Sequence, residues 1–223
     1  MAMWIPVICL VVLSGLGFVS VFRRKLVNND KIEFVVDFNS KFVTYWNSKG
    51  QDRSAFSLLI RHSNKMQNNL GNQGVAAKFK PPYLNVVYQD YPIIINMLPS
   101  LDDALSTPGF MGGIGDDAVQ YAKAIEQTLL RHIGSLEAND ETLVKQLRNP
   151  VIWLREGIRS VLSLPVHFVS WFGLISATTA IKITSSWIFR FLSGFTGLIG
   201  LFSAIMGIAL GWEEFVKMAS KFF

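Results

Sequence analysis

Cysteine is almost absent from this 223-residue chain, and the one present, Cys9, sits inside an apolar stretch. A lone thiol excludes an intrachain disulfide and a cysteine-based zinc site. No asparagine has the Asn-x-Ser/Thr spacing of a glycosylation acceptor, which fits a non-secreted, bacterial chain. Also missing are the Gly-Lys-Ser/Thr phosphate loop, the Gly-x-Gly-x-x-Gly turn, the Gly-x-Ser-x-Gly elbow and the paired histidines of a zincin helix. The glycine-rich run Ser106–Gly115 has no lysine to meet a phosphate and reads as a connector. These absences predict a protein that is not an enzyme and that uses no cofactor and no metal.

Charge is the next scarcity. Met1–Phe22, Ser160–Ile181 and Phe191–Trp212 are each 22 residues long and contain no Asp, Glu, Lys or Arg. A bilayer core about 30 Å thick is crossed by roughly 20 helical residues. The fold class expected from this is an all-α membrane protein, with three transmembrane helices and a mostly helical cytoplasmic domain between the first and second. The expected organisation is an N-terminal transmembrane anchor over 1–22, a cytoplasmic helical domain over 23–149 and an interfacial amphipathic helix over 150–160. A transmembrane hairpin over 161–212, turning through Lys182–Ser186, and a cytoplasmic tail over 213–223 complete it.

All but six of the charged side chains lie between Arg23 and Arg159, and the formal net charge is +5. Arg23, Arg24 and Lys25 follow the first window, and Arg155 and Arg159 approach the second. Basic residues in these places suit retention of a cytoplasmic flank, so membrane flanking is preferred to nucleic-acid binding. Met1–Pro6 carries no basic side chain and the charges follow the window, which argues for an uncleaved anchor with its N-terminus outside. The location expected is the inner membrane of a bacterium.

Within the middle region, Val35, Val36, Phe42, Val43 and Trp46 recur at helical spacing, continuing the first helix past the charges. A second helix is expected over Arg53–Leu70, stopping at Gly71. Asn72–Pro92 reads as loop or extended chain, with Phe79, Tyr83, Tyr88 and Tyr91 packing it onto its own domain. Ile93–Leu98 reads as a short helix interrupted by Pro99. Asp116 offers an N-cap for a helix to about Ser135, another helix begins near Asn139–Asp140, and Asn149-Pro150 starts a third.

The chemistry-bearing residues are sparse. His62, on a polar helix stripe, reads as a solvated face; His132 suits a helix end; His167, close after Pro165, reads as neutral interfacial packing. Asp102-Asp103 and Asp116-Asp117 fall where helix N-termini are expected. The positive signal is a ladder of small residues: Ser193, Gly197, Gly200, Ala204, Gly207 and Gly211 let helix backbones approach closely.

The function expected is a non-enzymatic membrane protein that assembles into a homo- or hetero-oligomer through its hairpin, as a pore-forming or membrane-perturbing subunit. Its partners would be the lipid bilayer, further copies or another membrane subunit, and a cytoplasmic protein; no nucleic acid is expected. The alternative is a transducer, because the order of one span, a large cytoplasmic region and a hairpin is similar in topology to ExbB-type proton-driven stator subunits. No motif accompanies that topology, so no residue role follows from it. A membrane-bound enzyme of unfamiliar type, using His62 or the tyrosine-rich loop, is the third reading.

Overall fold

A computed structural model describes residues 5–81, 85–107 and 115–210. In chain order it contains α1 (Ile5–Asn47), α2 (Arg53–Leu70), a 3-10 turn (Gly71–Gly74), β1 (Val75–Phe79) and β2 (Tyr88–Pro92). There follow α3 (Ile93–Ser106), α4 (Asp116–Leu147), α5 (Pro150–Trp171), α6 (Ala177–Ser185) and α7 (Trp187–Leu210). The chain divides into two compact units, Val27–Asp140 and a second made of Met1–Leu26 with Glu141–Phe223. These boundaries differ from the expected 23 and 149 because α1 and α4 each supply residues to both units.

The core of Val27–Asp140 forms where four helical stripes meet. Val35, Phe38, Phe42 and Tyr45 on α1 follow a spacing of three or four, and all are buried. Leu59, Met66 and Leu70 of α2, Ile94, Met97, Leu98 and Leu101 of α3, and Ala118, Ala122, Ile125 and Leu129 of α4 close around them. Asp52 caps α2, accepting the Ala55 amide at 2.9 Å. At its far end Gly71 has φ +53°, a left-handed conformation that favours glycine and stops the helix.

Two local expectations are corrected here, and a third gains its strand pairing. Pro99 does not interrupt α3, which runs to Ser106. Proline removes one backbone hydrogen bond, but burial of Leu98 and Leu101 on either side holds the turn in place. No second helix begins at Asn139–Asp140: α4 is continuous to Leu147 because Leu136 and Leu143 prolong its buried stripe. Asn139 instead donates to Asn28 Oδ1 at 2.8 Å, while Asn28 donates to the Leu136 carbonyl at 3.0 Å. The segment after Gly74 is an antiparallel hairpin, with Val75 opposite Pro92 and Phe79 opposite Tyr88. Phe79 stacks on Tyr91 at 4.6 Å and lies 6.2 Å from Tyr121, which packs the hairpin onto its own unit; Tyr83 lies outside the described residues.

The larger correction concerns the membrane. Among the described residues no helix is long and apolar enough to cross one. The three-transmembrane-helix fold, the transmembrane character and the bacterial inner-membrane location with an outside N-terminus are therefore overturned. The second window shows why. Helix α5 carries Arg155, Glu156 and Arg159 and ends at Trp171, so Ser160–Trp171 falls short of the roughly 20 residues a crossing needs. Gly173, at φ +75°, lies in the break at 172–176, and α6 has only nine residues. The described part of the first window, from Ile5, belongs to a 43-residue helix that runs on through Arg23, Arg24 and Lys25. The expected turn Lys182–Ser186 is mostly helix, since α6 reaches Ser185 and only Ser186 separates it from α7. The tail over 213–223 and the glycine-rich stretch over 108–114 lie outside the described residues.

Candidate functional site

Two features of the unit formed by Met1–Leu26 and Glu141–Phe223 set it apart: a buried carboxylate among arginines and a large uncovered apolar surface. Both depend on how α5 is built. Asn149 caps it, accepting the Val151 amide at 3.0 Å, and Pro150 occupies the first turn, where its missing N–H costs nothing. Gly157 lies against α1 so closely that a Cβ there would fall 1.8 Å from the Leu13 carbonyl oxygen. Reciprocally, a Cβ on Gly17 would fall 1.7 Å from the Trp153 carbonyl oxygen. Phe18 sets its ring edge-to-face on Trp153 at 5.0 Å beside this crossing.

That approach brings Arg24 of α1 to Glu156 of α5. The Glu156 side chain is 7% exposed; its Oε2 accepts from Arg24 at 2.8 Å and its Oε1 from Arg155 at 3.0 Å. Arg159 Nη1 stands 4.0 Å from Oε2, and its Nη2 donates to the Thr184 carbonyl at 3.2 Å. A buried carboxylate is tolerated only with such partners, because the lost hydration must be replaced by charge-assisted hydrogen bonds. Of the basic residues predicted to flank a membrane, Arg24, Arg155 and Arg159 are thus gathered around one acid. Arg23 is exposed and lies outside the cluster. A cavity of about 270 Å³ opens beside the cluster, lined by Ser20, Arg24, Glu156, Arg159, Ser163 and His167 among others.

The predicted small-residue ladder lies on α7 up to Gly207 and is used in part. Ser193 is buried and donates to the Phe189 carbonyl at 2.7 Å, and Gly197 meets the Ile158 side chain of α5 at 3.1 Å from a built Cβ. Gly200 faces open space. The side chain of Ala204, the surroundings of Gly207 and the whole of Gly211 fall outside what is described. A closer helix approach than at Gly197 is made by Gly17 and Gly157, which sequence reasoning missed. Neither belongs to a small-residue repeat, so no pattern within one segment marks them.

Around the rest of α7, Phe191, Phe195, Leu198 and Phe202 are exposed by more than half. Between α7 and α5 runs an apolar groove of about 420 Å³, lined by Leu154, Ile158, Phe191, Phe195, Gly197 and Leu198 among others.

The unit Val27–Asp140 holds a second polar cluster. Asp102, within α3 rather than at a helix N-terminus, accepts the Tyr45 hydroxyl at 2.6 Å and a forked pair of bonds from Arg53. Burial pushes the Asp102 carboxyl up, but hydrogen bonds from Arg53 and Tyr45 outweigh it and leave the group below its ordinary value. Burial, reinforced by the Asp102 hydrogen bond, pushes the Tyr45 hydroxyl up. Folded-state lowering of an acid adds stability above its unfolded pKa, and this stability is lost as pH falls through the folded value. Asp102→Asn is therefore expected to lower the denaturation midpoint at neutral pH. It should also flatten the loss of stability at pH values below the ordinary 3.8 of the carboxyl, measured by chemical unfolding across pH.

The histidines are scattered. His62 meets the edge of Phe34 at 6.1 Å between ring centres, and His167 lines the cavity in the other unit. His132 is buried, with Nδ1 3.1 Å from Gln73 Oε1; burial and the Lys31 charge lower its pKa. Among the described residues no three of His, Cys, Asp and Glu gather as a metal-ligand group. Comparison with protein-family models, curated proteins and solved structures finds no match.

Proposed function

We propose that this protein is a non-enzymatic assembly subunit that associates with further copies of itself through α7. The observation that carries the reading is the uncovered apolar surface of that helix. Phe191, Phe195, Leu198 and Phe202 follow one another at intervals of four, three and four residues, and each is more than half exposed. Trp187, four residues before Phe191 on the same stripe, and Ile188, Leu192 and Ile199 beside it are exposed as well. Contiguous apolar surface of this kind marks an interaction site. A four-three-four stripe is the seam that packs knobs into holes against an identical helix, and a two-fold pair would bury both seams at once.

Light scattering coupled to size exclusion tests this. The wild-type chain is expected to run as an oligomer. Phe195→Glu combined with Phe202→Glu should convert it to a monomer without changing the far-ultraviolet circular dichroism. A wild-type chain that stays monomeric at every concentration tested sinks the proposal.

A further inference from the structure

We propose that the polar cavity between α1 and α5 binds a phosphate-type oxyanion. Glu156 carries one negative charge and has three guanidiniums around it, from Arg24, Arg155 and Arg159. The cluster therefore holds two positive charges more than Glu156 neutralises. Arg24 and Arg159 both line the cavity, and each has further N–H donors beyond those bound to Glu156 and Thr184. Their side chains are 44% and 33% exposed, so an ion can reach them from solvent. The cavity, at about 270 Å³, lies below the roughly 300–1,000 Å³ of pockets that take drug-sized ligands, which suits a small ion.

The hydroxyls sharpen the ligand class. Ser163 donates to the Ser160 carbonyl and Ser160 to the Glu156 carbonyl, each at 2.8 Å. Their protons are engaged, so what they present to the cavity is lone pairs. An oxyanion that retains an O–H at neutral pH can donate to those lone pairs while accepting from the arginines. Inorganic phosphate carries such a proton; sulfate does not, and a phosphomonoester, with its second pKa at about 6, keeps it in a minor fraction only. The site is accordingly one for phosphate over sulfate.

Titration calorimetry of the full chain with inorganic phosphate and with sulfate tests this. Saturable phosphate binding is expected, with sulfate weaker. Arg159→Gln should weaken phosphate binding at least about tenfold, in line with the loss of a charge-assisted hydrogen bond. Arg159→Lys, which keeps the charge but loses the fork, should fall between the two. Arg23→Gln is the control, because Arg23 is exposed and lies outside the cluster. It should bind as wild type does.

Flotation with phosphatidylcholine vesicles, with and without phosphatidic acid, separates the two sources of the group. Capture by the phosphatidic acid vesicles alone, lost in Arg159→Gln, assigns the site to a lipid headgroup. Binding of free phosphate, lost in the same variant, assigns it to a soluble ion or ester. Absence of both overturns the inference, and so does an equal loss in Arg23→Gln, which would reduce the effect to general charge.

Discussion

Gly157→Leu is expected to destabilise the unit that contains α5 by about 3 kcal/mol or more, at or above the upper end of ordinary overpacking. Even the first added carbon has nowhere to go. It would sit 1.8 Å from the Leu13 carbonyl oxygen and 2.6 Å from the carbon behind it. Side chains can swing away from an intruder, but backbone atoms yield only if the whole helix moves. Separating α1 from α5 also draws Arg24 away from Glu156, so the effect reaches the charged cluster. Gly17→Leu should act in the same way, because its Cβ would meet Trp153 and Gly157 backbone atoms. Gly15→Ala is the contrasting case: nothing stands within 4 Å of its built Cβ, and alanine is the better helix former by up to about 1 kcal/mol. Unfolding followed by the fluorescence of Trp153, with the other tryptophans replaced by phenylalanine, should resolve the three. A Gly157→Leu chain as stable as wild type would show that the helices do not cross there.

The second large effect is expected at Gln67, where substitution by leucine should cost about 3 kcal/mol. Gln67 is buried and bonds to two backbone groups that have no helical partner there. It donates from Nε2 to the Gly74 carbonyl at 2.9 Å and accepts the Ile94 amide at 3.0 Å. Ile94 stands in the first turn of α3, where amides lack helical partners, and Pro92 before it provides no side-chain cap. Leucine would leave both groups buried and unpaired, at about 1–3 kcal/mol each, offset in part by its own apolar burial. Glutamate at this position adds a diagnostic pH dependence. It can accept from Ile94 but can donate to Gly74 only when protonated, so its folded-state pKa rises above the unfolded value. Stability is then highest below the unfolded pKa and lost as pH rises through the folded one. Chemical denaturation of Gln67→Glu at pH 4 and pH 8 should show it closer to wild type at the lower pH; equal deficits would count against the two-bond bridge.

Local chemistry was legible in the sequence wherever cause and effect lie within one turn. Asn149 read as a helix start because a cap needs only a short side chain and an amide two or three residues onward. Gly71 read as a stop for the same reason. The stripes on α1, α2 and α4 were visible as periodicity, since one helix face repeats every three or four residues. Pro99 and Asn139 misled because their local preferences were outweighed by partners elsewhere, buried neighbours for one and Asn28 for the other. The hairpin was seen only as an extended stretch, because pairing Val75 with Pro92 depends on a register that neither segment encodes alone.

By itself, then, the sequence determined an all-α character, the main helix starts and the apolar face of each helix that builds the Val27–Asp140 core. It also ruled out an intrachain disulfide. Only the tertiary structure decided how the charge-free windows are used: the second is cut at 172–176, and the first continues into a long charged helix. Only the tertiary structure brought Arg24 to Glu156 across 132 positions and placed Gly17 against α5. The physical reason is common to these cases. Caps and stripes are set by backbone geometry over a few residues, whereas a buried charge and a bare backbone find their partners only when distant helices meet.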